Sequence, residues 1–389
     1  MLKSLFTRLE EIYPELVSIR RDLHMYPELS FQEVNTPRKI ADFLKNLGLE
    51  VRTEVGGRGV VGKLRGGKPG RTIAFRADFD ALPIQDEKEV EYKSRVPGVM
   101  HACGHDVHTA SLLGVAKVLS EVKEEIRGTV IFIHQFAEEQ IPGGAKSMIE
   151  DGCLDGVDAI YGVHVWSSLP IGTIGIIEGD AMAAGDKFEI EIIGKGGHGA
   201  KPQITIDSLV VGAQLVNNLQ NIVSRKIDPY KPAVVTVGTF QAGQAFNVIA
   251  DRASLTGTVR TFDDEVRNSI ETNINQIAKS TCESSGAKAN VNYIRGYPSL
   301  WNHPEHIQKA EKVAINLLGK ENIKYPLPSM GMEDFAYYLK EVPGAFVFVG
   351  GGNSEIEAEY PQHHPKFNVD ERSILISAKF FLSVLLEEE

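Results

Sequence analysis

Cys103, Gly104 and His105 stand just ahead of an apolar helical stretch, and two adjacent glutamates, Glu138 and Glu139, follow further on. A thiolate and an imidazole are good donors for zinc and similar first-row ions. Gly104 lets two donors, two residues apart, turn toward one centre. Adjacent carboxylates do not easily serve one cation together, but one can ligate while the other accepts a proton from water. Further donors are His164, in Tyr161-Gly162-Val163-His164-Val165-Trp166, and the pair His363-His364 before Pro365. Asp106 and His108 are near enough in sequence to support the ligands from behind. Each feature also has an ordinary reading: a helix start with an Asp cap, a solvated acidic loop end, a satisfied core histidine, two exposed loop histidines. Taken jointly they offer sulfur, nitrogen and oxygen donors from separate segments, enough to hold a pair of cations sharing a water.

Such a site needs a scaffold that gathers distant segments. Leu5, Leu9, Ile12, Leu16, Ile19 and Leu23 recur at helical spacing, and Pro27 ends that helix. A second helix opens at Asn35-Thr36-Pro37, read as a capped start, and stops at Gly48. Strands are expected over 59–64, 72–76 and 129–134, with a helix over about 109–122 between the last two. His164 is expected at the end of a further strand. Strands alternating with helices predict an α/β sheet with helices on both faces. From Ala183 the style changes. Lys187 to Ile193 alternates like a strand with one wet face. A helix over about 206–223, strands over 233–238 and 253–260, a helix over 264–284 and a strand over 289–293 complete a β-α-β-β-α-β order, which is ferredoxin-like. After Pro298 the first style resumes with a helix over 306–318 and a strand over 345–349, so a small domain is inserted into a larger one. Gly194, Gly196 and Gly199 fit the dinucleotide fingerprint, but Pro202 interrupts where a helix must open at once. Those glycines are read instead as letting backbone approach substrate and present His198.

The chain has 389 residues, enough for two domains, and a formal charge of −11 that disfavours nucleic acid as a partner. No stretch approaches the 18 apolar residues of a membrane span, and the opening residues carry no signal-peptide pattern. Three cysteines, Cys103, Cys153 and Cys282, fit a reduced cytoplasmic protein better than a disulfide framework.

Several motifs together carry a family likeness. They are Arg20-Arg21-Asp22-Leu23-His24-Met25-Tyr26-Pro27-Glu28-Leu29-Ser30, Arg76-Ala77-Asp78-Phe79-Asp80-Ala81-Leu82-Pro83, the run from Met100 to His108, and Ala137-Glu138-Glu139. Gly194-Lys195-Gly196-Gly197-His198-Gly199, Gly257 to Phe262 and Met332-Glu333-Asp334-Phe335 continue the match nearly to the end. In these segments the chain resembles the M20 metallopeptidases, in the aminoacylase, hippurate-hydrolase and indole-acetyl-amino-acid hydrolase branch. The resemblance implies a zinc-peptidase-like α/β catalytic domain, a mixed sheet flanked by helices, over 1–182 and 297–389. It implies a ferredoxin-like α+β lid that serves dimerisation over 183–296. It assigns metal ligands at Cys103, His105, Glu139, His164 and His363, the last chosen over His364 by its spacing to Phe367. Glu138 matches the general base, and Asp78 or Asp80 matches the carboxylates behind the metals. His198 matches an oxyanion donor, and Asn247 and Arg260 match the groups that hold a substrate carboxylate. Phe136 departs from the family, where proline is usual.

The activity so implied is hydrolysis of N-acyl-L-amino acids by a water activated between two divalent ions, Zn²⁺ or Mn²⁺, with Co²⁺ and Ni²⁺ as alternatives. A carboxypeptidase or dipeptidase acting on short peptides is the runner-up. A metal-stabilised binding protein for amino-acid conjugates, without turnover, is the alternative from another class. A homodimer through the lid is implied as well, with His198 serving either its own chain or the second copy.

Overall fold

The computed structural model describes residues 1–388 and divides into two compact units. The first contains Met1–Gly179, Trp301–Leu327 and the chain from Asp334 onward. Its centre is an 8-stranded mixed sheet in the order Glu50–Val55, Gly59–Arg65, Arg127–Gln135, Lys68–Asp78, Ala159–Pro170, Gly344–Gly352, Ile174–Gly175, Ile323–Lys324. Arg127–Gln135, Lys68–Asp78, Ala159–Pro170 and Gly344–Gly352 run parallel to one another. Their side chains read as continuous apolar runs, such as Val130 to Ile133 and Ala345 to Val349, because helices or other chain cover both faces. The helices His105–Glu121, Pro304–Leu318 and Arg372–Glu388 pack on the sheet, and Leu2–Met25 packs against His105–Glu121 and Arg372–Glu388. Phe335–Glu341 packs against Ala145–Glu150 and against Ala159–Pro170 and Gly344–Gly352.

Parallel pairing fixes the height of the chemistry. Asp78 is level with Gln135, and Arg76 with Gly162. Two residues beyond each, Asp78 and His164 reach the same end of neighbouring strands. The chain passes from Lys68–Asp78 to a neighbour on one side and later to Ala159–Pro170 on the other, and the crevice outside such a switch in strand order is where α/β sheets take ligands.

The second unit is Asp180–Leu300 with Pro328–Glu333. Its 4-stranded antiparallel sheet has the order Ala233–Ala242, Arg252–Thr261, Ala184–Ile193, Lys288–Arg295. Numbered along the chain, this is second, third, first, fourth, the ferredoxin-like arrangement. Phe188, Ile190, Ile192, Leu255 and Val259 on the sheet pack with Val211, Leu215, Ile270 and Ile274 from the helices Ser208–Leu219 and Asp264–Ser284. Pro328–Glu333 joins this unit because Ala183 N–H bonds to the carbonyls of Ser329 and Gly331, both at 3.0 Å.

Local departures from the sequence reading have local causes. The helix expected from residue 109 starts at His105, with Gly104 as its left-handed cap residue at φ 91°. His164 is inside its strand, which continues to Pro170. The helix expected over 206–223 divides into Ser208–Leu219 and Asn221–Lys226. Asn35 does not cap the second helix. Glu28 does so from the preceding loop, accepting the backbone N–H groups of Val34, Asn35 and Thr36 at 3.0, 3.0 and 2.8 Å. The helix Leu2–Met25 runs through Pro14, and the edge strand Glu50–Val55 had no clear periodicity to announce it.

Candidate metal centre

Gly104 is the pivot of the site. Its φ of 91° suits glycine alone, and a Cβ there would meet Val165 Cγ1 at 2.2 Å. With that turn, Cys103 and His105 face one point. Cys103 Sγ is 3.3 Å from His164 Nε2. His164 donates from Nδ1 to the carbonyl of Val165 at 2.8 Å, which leaves the Nε2 lone pair directed at the sulfur. His105 directs Nδ1 at the carbonyl and carboxylate of Asp80, at 3.0 and 3.1 Å. Its Nε2 therefore points inward, 3.6 Å from Asp78 and 3.8 Å from Glu139 Oε1. His363, itself left-handed at φ 66°, puts Nε2 3.3 Å from Glu139 Oε1 and is tied by its backbone N–H to the carbonyl of Ala102 at 2.8 Å. His364 turns away, stacked on Tyr360 with ring centroids 4.6 Å apart.

The donor atoms form overlapping sets. Those of Cys103, His105 and His164 lie within 4.8 Å of one another, and so do those of Cys103, Glu139 and His363. The sulfur is common to both sets, so the two sets adjoin. Two of these atoms, His105 Nε2 and Glu139 Oε1, are buried with no hydrogen-bond partner. Orphaned buried polar atoms are rare, and a cation among mixed sulfur, nitrogen and oxygen donors is what such atoms fit. The electrostatics agree. Burial, with Glu139, Glu138 and Asp78, pushes the bare Cys103 thiol well up. Burial alone would lower His105, yet Asp78, Asp80 and Glu139 outweigh it and push that imidazole up to about 10. The pocket thus resists anionic sulfur and favours positive charge, a combination that a bound divalent cation relieves.

Behind the donors stand groups that fix them. His108 accepts the Val165 N–H at Nε2 (2.8 Å) and donates from Nδ1 to Asp78 at 2.6 Å, so its tautomer is set and the strand carrying His164 is pinned. The other Asp78 oxygen takes Arg76 at 2.6 Å. Asp80 serves two ligand residues at once: His105, and Glu139 through its N–H at 3.0 Å. Between the two aspartates left open by the sequence, Asp80 orients His105, while Asp78 holds His108 and Arg76. Residues 76, 78 and 80 share a face by the period of two along a strand, a signal that could have paired Arg76 with both. Asp106 faces away, ion-paired with Arg20 at 2.8 Å and bonded to His24 at 2.7 Å, and so anchors the first helix rather than a ligand.

Glu138 is buried, with an oxygen within 4.8 Å of the donor atoms of His105 and Glu139 and within the same distance of Asp334. Asp334 accepts Arg76 at 2.9 Å and Gln135 at 2.7 Å, and burial still pushes it up to about 6. Neither Gln135 nor Asp334 was singled out from the sequence as part of the site, because a polar side chain near a strand end or helix start has many uses.

In the second unit His198 lies on the two-residue strand Gly197–His198, opposite Val248, and is exposed. Gly199 N–H bonds to the carbonyl of Asn247 at 2.8 Å, so His198 and Asn247 are neighbours. Arg260, half-buried on Arg252–Thr261, donates to Thr258 Oγ1 and the carbonyl of Val259. Only a 3-10 turn over Pro202–Ile204 follows Gly199, and the next α-helix begins at Ser208, as expected of a false dinucleotide fingerprint.

The model of peptidase family M20/M25/M40 matches residues 74–387. The candidate amidohydrolase YhaA of Bacillus subtilis (strain 168) is 51% identical over 377 residues, 97% of this chain and 95% of that protein. The N-acyl-L-amino acid amidohydrolase of Geobacillus stearothermophilus is 47% identical over 76% of this chain and 80% of its own length. Among solved structures, the Bacillus subtilis YXEP protein, described as a dinuclear metal binding peptidase from the M20 family, superposes with a TM-score of 0.83 at 38% identity, covering 97% of this chain and 98% of that one.

Proposed function

Since the chain belongs to peptidase family M20/M25/M40, we propose that it is a metal-dependent amidohydrolase that cleaves the amide bond of N-acyl-L-amino acids. The observation that carries this reading is the convergence of Cys103, His105, Glu139, His164 and His363, with His105 Nε2 buried without a hydrogen-bond partner and Glu139 Oε1 held only by the contact with His363. Cys103, His105 and His164 would hold one divalent ion, and Cys103, Glu139 and His363 the other, Zn²⁺ or Mn²⁺ before Co²⁺ or Ni²⁺. Bound there, the ions supply a water of lowered pKa and a polarised acyl carbonyl. Glu138 takes the proton of that water and delivers it to the departing amine. Asp80 keeps His105 and Glu139 in place while this happens, and Asp78 does the same for His164 through His108. His198 donates to the developing oxyanion, and Asn247 and Arg260 hold the substrate carboxylate.

The reading includes a homodimer formed through the second unit. Ala233–Ala242 is an edge strand of its sheet, and Leu209, Val210, Phe240 and Phe246 are exposed in the same unit. It also includes a reducing, cytoplasmic setting, which keeps Cys103 a thiol.

The test is a panel of N-acetyl amino acids, hippurate and dipeptides assayed on the metal-loaded enzyme and on Glu138→Gln. The panel is expected to favour N-acyl amino acids over dipeptides. The variant is expected to lose about 10²- to 10⁴-fold in kcat while keeping its metal content. Unchanged turnover in Glu138→Gln would remove that residue from its role, and binding without hydrolysis by the native enzyme would favour a conjugate-binding protein.

A further inference from the structure

Residues 26–34 form the loop between the first two helices, and its first part, Tyr26 to Ser30, ends a motif for which the reaction as described has no use. The structure gives the loop an address. Ala81 N–H bonds to the carbonyl of Glu28 at 2.9 Å, next to Asp80. Ser30 Oγ donates to Asp80 Oδ2 at 2.7 Å. Phe31 packs edge-on against Phe136, centroids 5.8 Å apart. Glu33 Oε1 accepts the backbone N–H of Ala137 at 2.9 Å, and Glu33 is 0% exposed.

Ala137 is the residue before the glutamate pair, and its φ is 51°. A residue with a Cβ adopts that left-handed conformation only when its surroundings impose it. The chain then bends at Glu138 and Glu139. Downstream, Glu139 N–H is held by Asp80 Oδ2 at 3.0 Å. The pair is therefore clamped at both ends, by Glu33 before it and Asp80 within it. The Asp80 clamp is itself braced by Ser30 from the same loop.

We propose that Glu33 is a positioning residue for the hydrolysis: by fixing the Ala137 N–H it holds the left-handed turn that aims Glu138 at the attacking water and Glu139 at the cation. This rests on the reading of Glu138 as the base. Burial and the nearby Asp80 carboxylate push the Glu33 carboxyl up to about 8, so near neutral pH it is largely uncharged. Its other oxygen, Oε2, has no hydrogen-bond partner and lies 4.0 Å from Arg58 Nε, a contact that opposes the upward shift without outweighing burial and Asp80. Glutamine therefore reproduces both the shape and the acceptor. Methionine keeps the length and removes the acceptor.

The test compares Glu33→Gln and Glu33→Met, metal-loaded, by kcat and KM, by metal content, and by amide hydrogen exchange at residues 136–139. Glu33→Gln is expected to keep native kcat and slow exchange at Ala137. Glu33→Met is expected to lose about 10- to 100-fold in kcat at unchanged KM, with faster exchange at Ala137, since a small misplacement of a catalytic group costs rate rather than binding. A role confined to stability would lower the melting temperature and leave kcat of the folded enzyme alone. Should Glu33→Met fail to fold, Glu33→Asp, which retracts the acceptor by one methylene, carries the same expectation. Native kcat and native exchange in the acceptor-deficient variant overturn the proposal, and so does a Glu33→Gln enzyme as impaired as Glu33→Met. Native hydrolysis and its loss in Glu138→Gln are established first. Failure there counts against the function, whereas failure at Glu33 alone counts against the clamp.

Discussion

At the scale of single residues, the site is a problem of leaving the right atoms unsatisfied. His105 and His164 each engage Nδ1 with neighbouring oxygens, so that Nε2 is the atom presented inward. The Cys103 sulfur belongs to both donor sets, whereas His363 belongs to one. Cys103→Ala is therefore expected to lose both cations and His363→Ala to retain one, measured by elemental analysis of dialysed protein. Retention of two cations by Cys103→Ala would remove the shared sulfur from the picture. The residue types were legible in the sequence, because few folding needs put a thiol, imidazoles and carboxylates in such company. The choice between Asp78 and Asp80 was not legible. They stand two apart at the end of one strand, and only the position of the His105 ring separates their tasks.

At the scale of elements, termini rather than interiors do the positioning. Gly104 starts one helix, Asp80 and Ala137 follow the ends of two parallel strands, and Glu28 caps the second helix from a loop. That cap makes a test with a definite sign. Burial alone would raise the Glu28 carboxyl, but the N–H groups of Asn35, Thr36 and Val34 outweigh it and lower it. A carboxyl lowered on folding contributes stability that is fully present above its unfolded pKa, about 4.3, and is lost as pH falls through the folded value. Glu28→Gln is expected to destabilise by about 0.5–2 kcal/mol near neutrality. The difference from the native protein is expected to shrink below about pH 4, followed by denaturant melts across that range. A difference that persists in acid would mean that the charge is not what caps the helix. The helices and strands themselves were largely readable, because burial imposes its period on them. The cap was misread as Asn35 since a long-range carboxylate can replace a local one without leaving a trace in the local pattern.

At the scale of the whole molecule, the chain divides its labour between a large α/β unit that gathers the metal donors and a small α+β unit that carries His198, Asn247 and Arg260. Among the described residues no helix is long and apolar enough to cross a membrane. The exposed apolar groups of the small unit include Phe246, at 103% relative exposure, and Leu209 at 44%, in the unit whose sheet ends in the edge strand Ala233–Ala242. In the proposed dimer a second copy would cover these groups. Sedimentation at micromolar concentration is expected to give a dimer for the native chain and a monomer for the Leu209→Asp, Phe246→Ser double variant. A native chain that sediments as a monomer would dismiss pairing through this unit.

The sequence alone carried the kind of chemistry, the α/β plan with an α+β insertion, and the candidate donors, because donor type and hydrophobic period are local properties of the chain. The choice of His363 over His364 came from the family resemblance, whereas tertiary structure decided which aspartate orients His105 and that Glu33 reaches Ala137 across 104 positions of sequence. Those are questions of where a side chain's free atom ends up once strands of different sequence distance are brought level. No spacing rule encodes that, since it depends on register and on the left-handed turns at Gly104, Ala137 and His363.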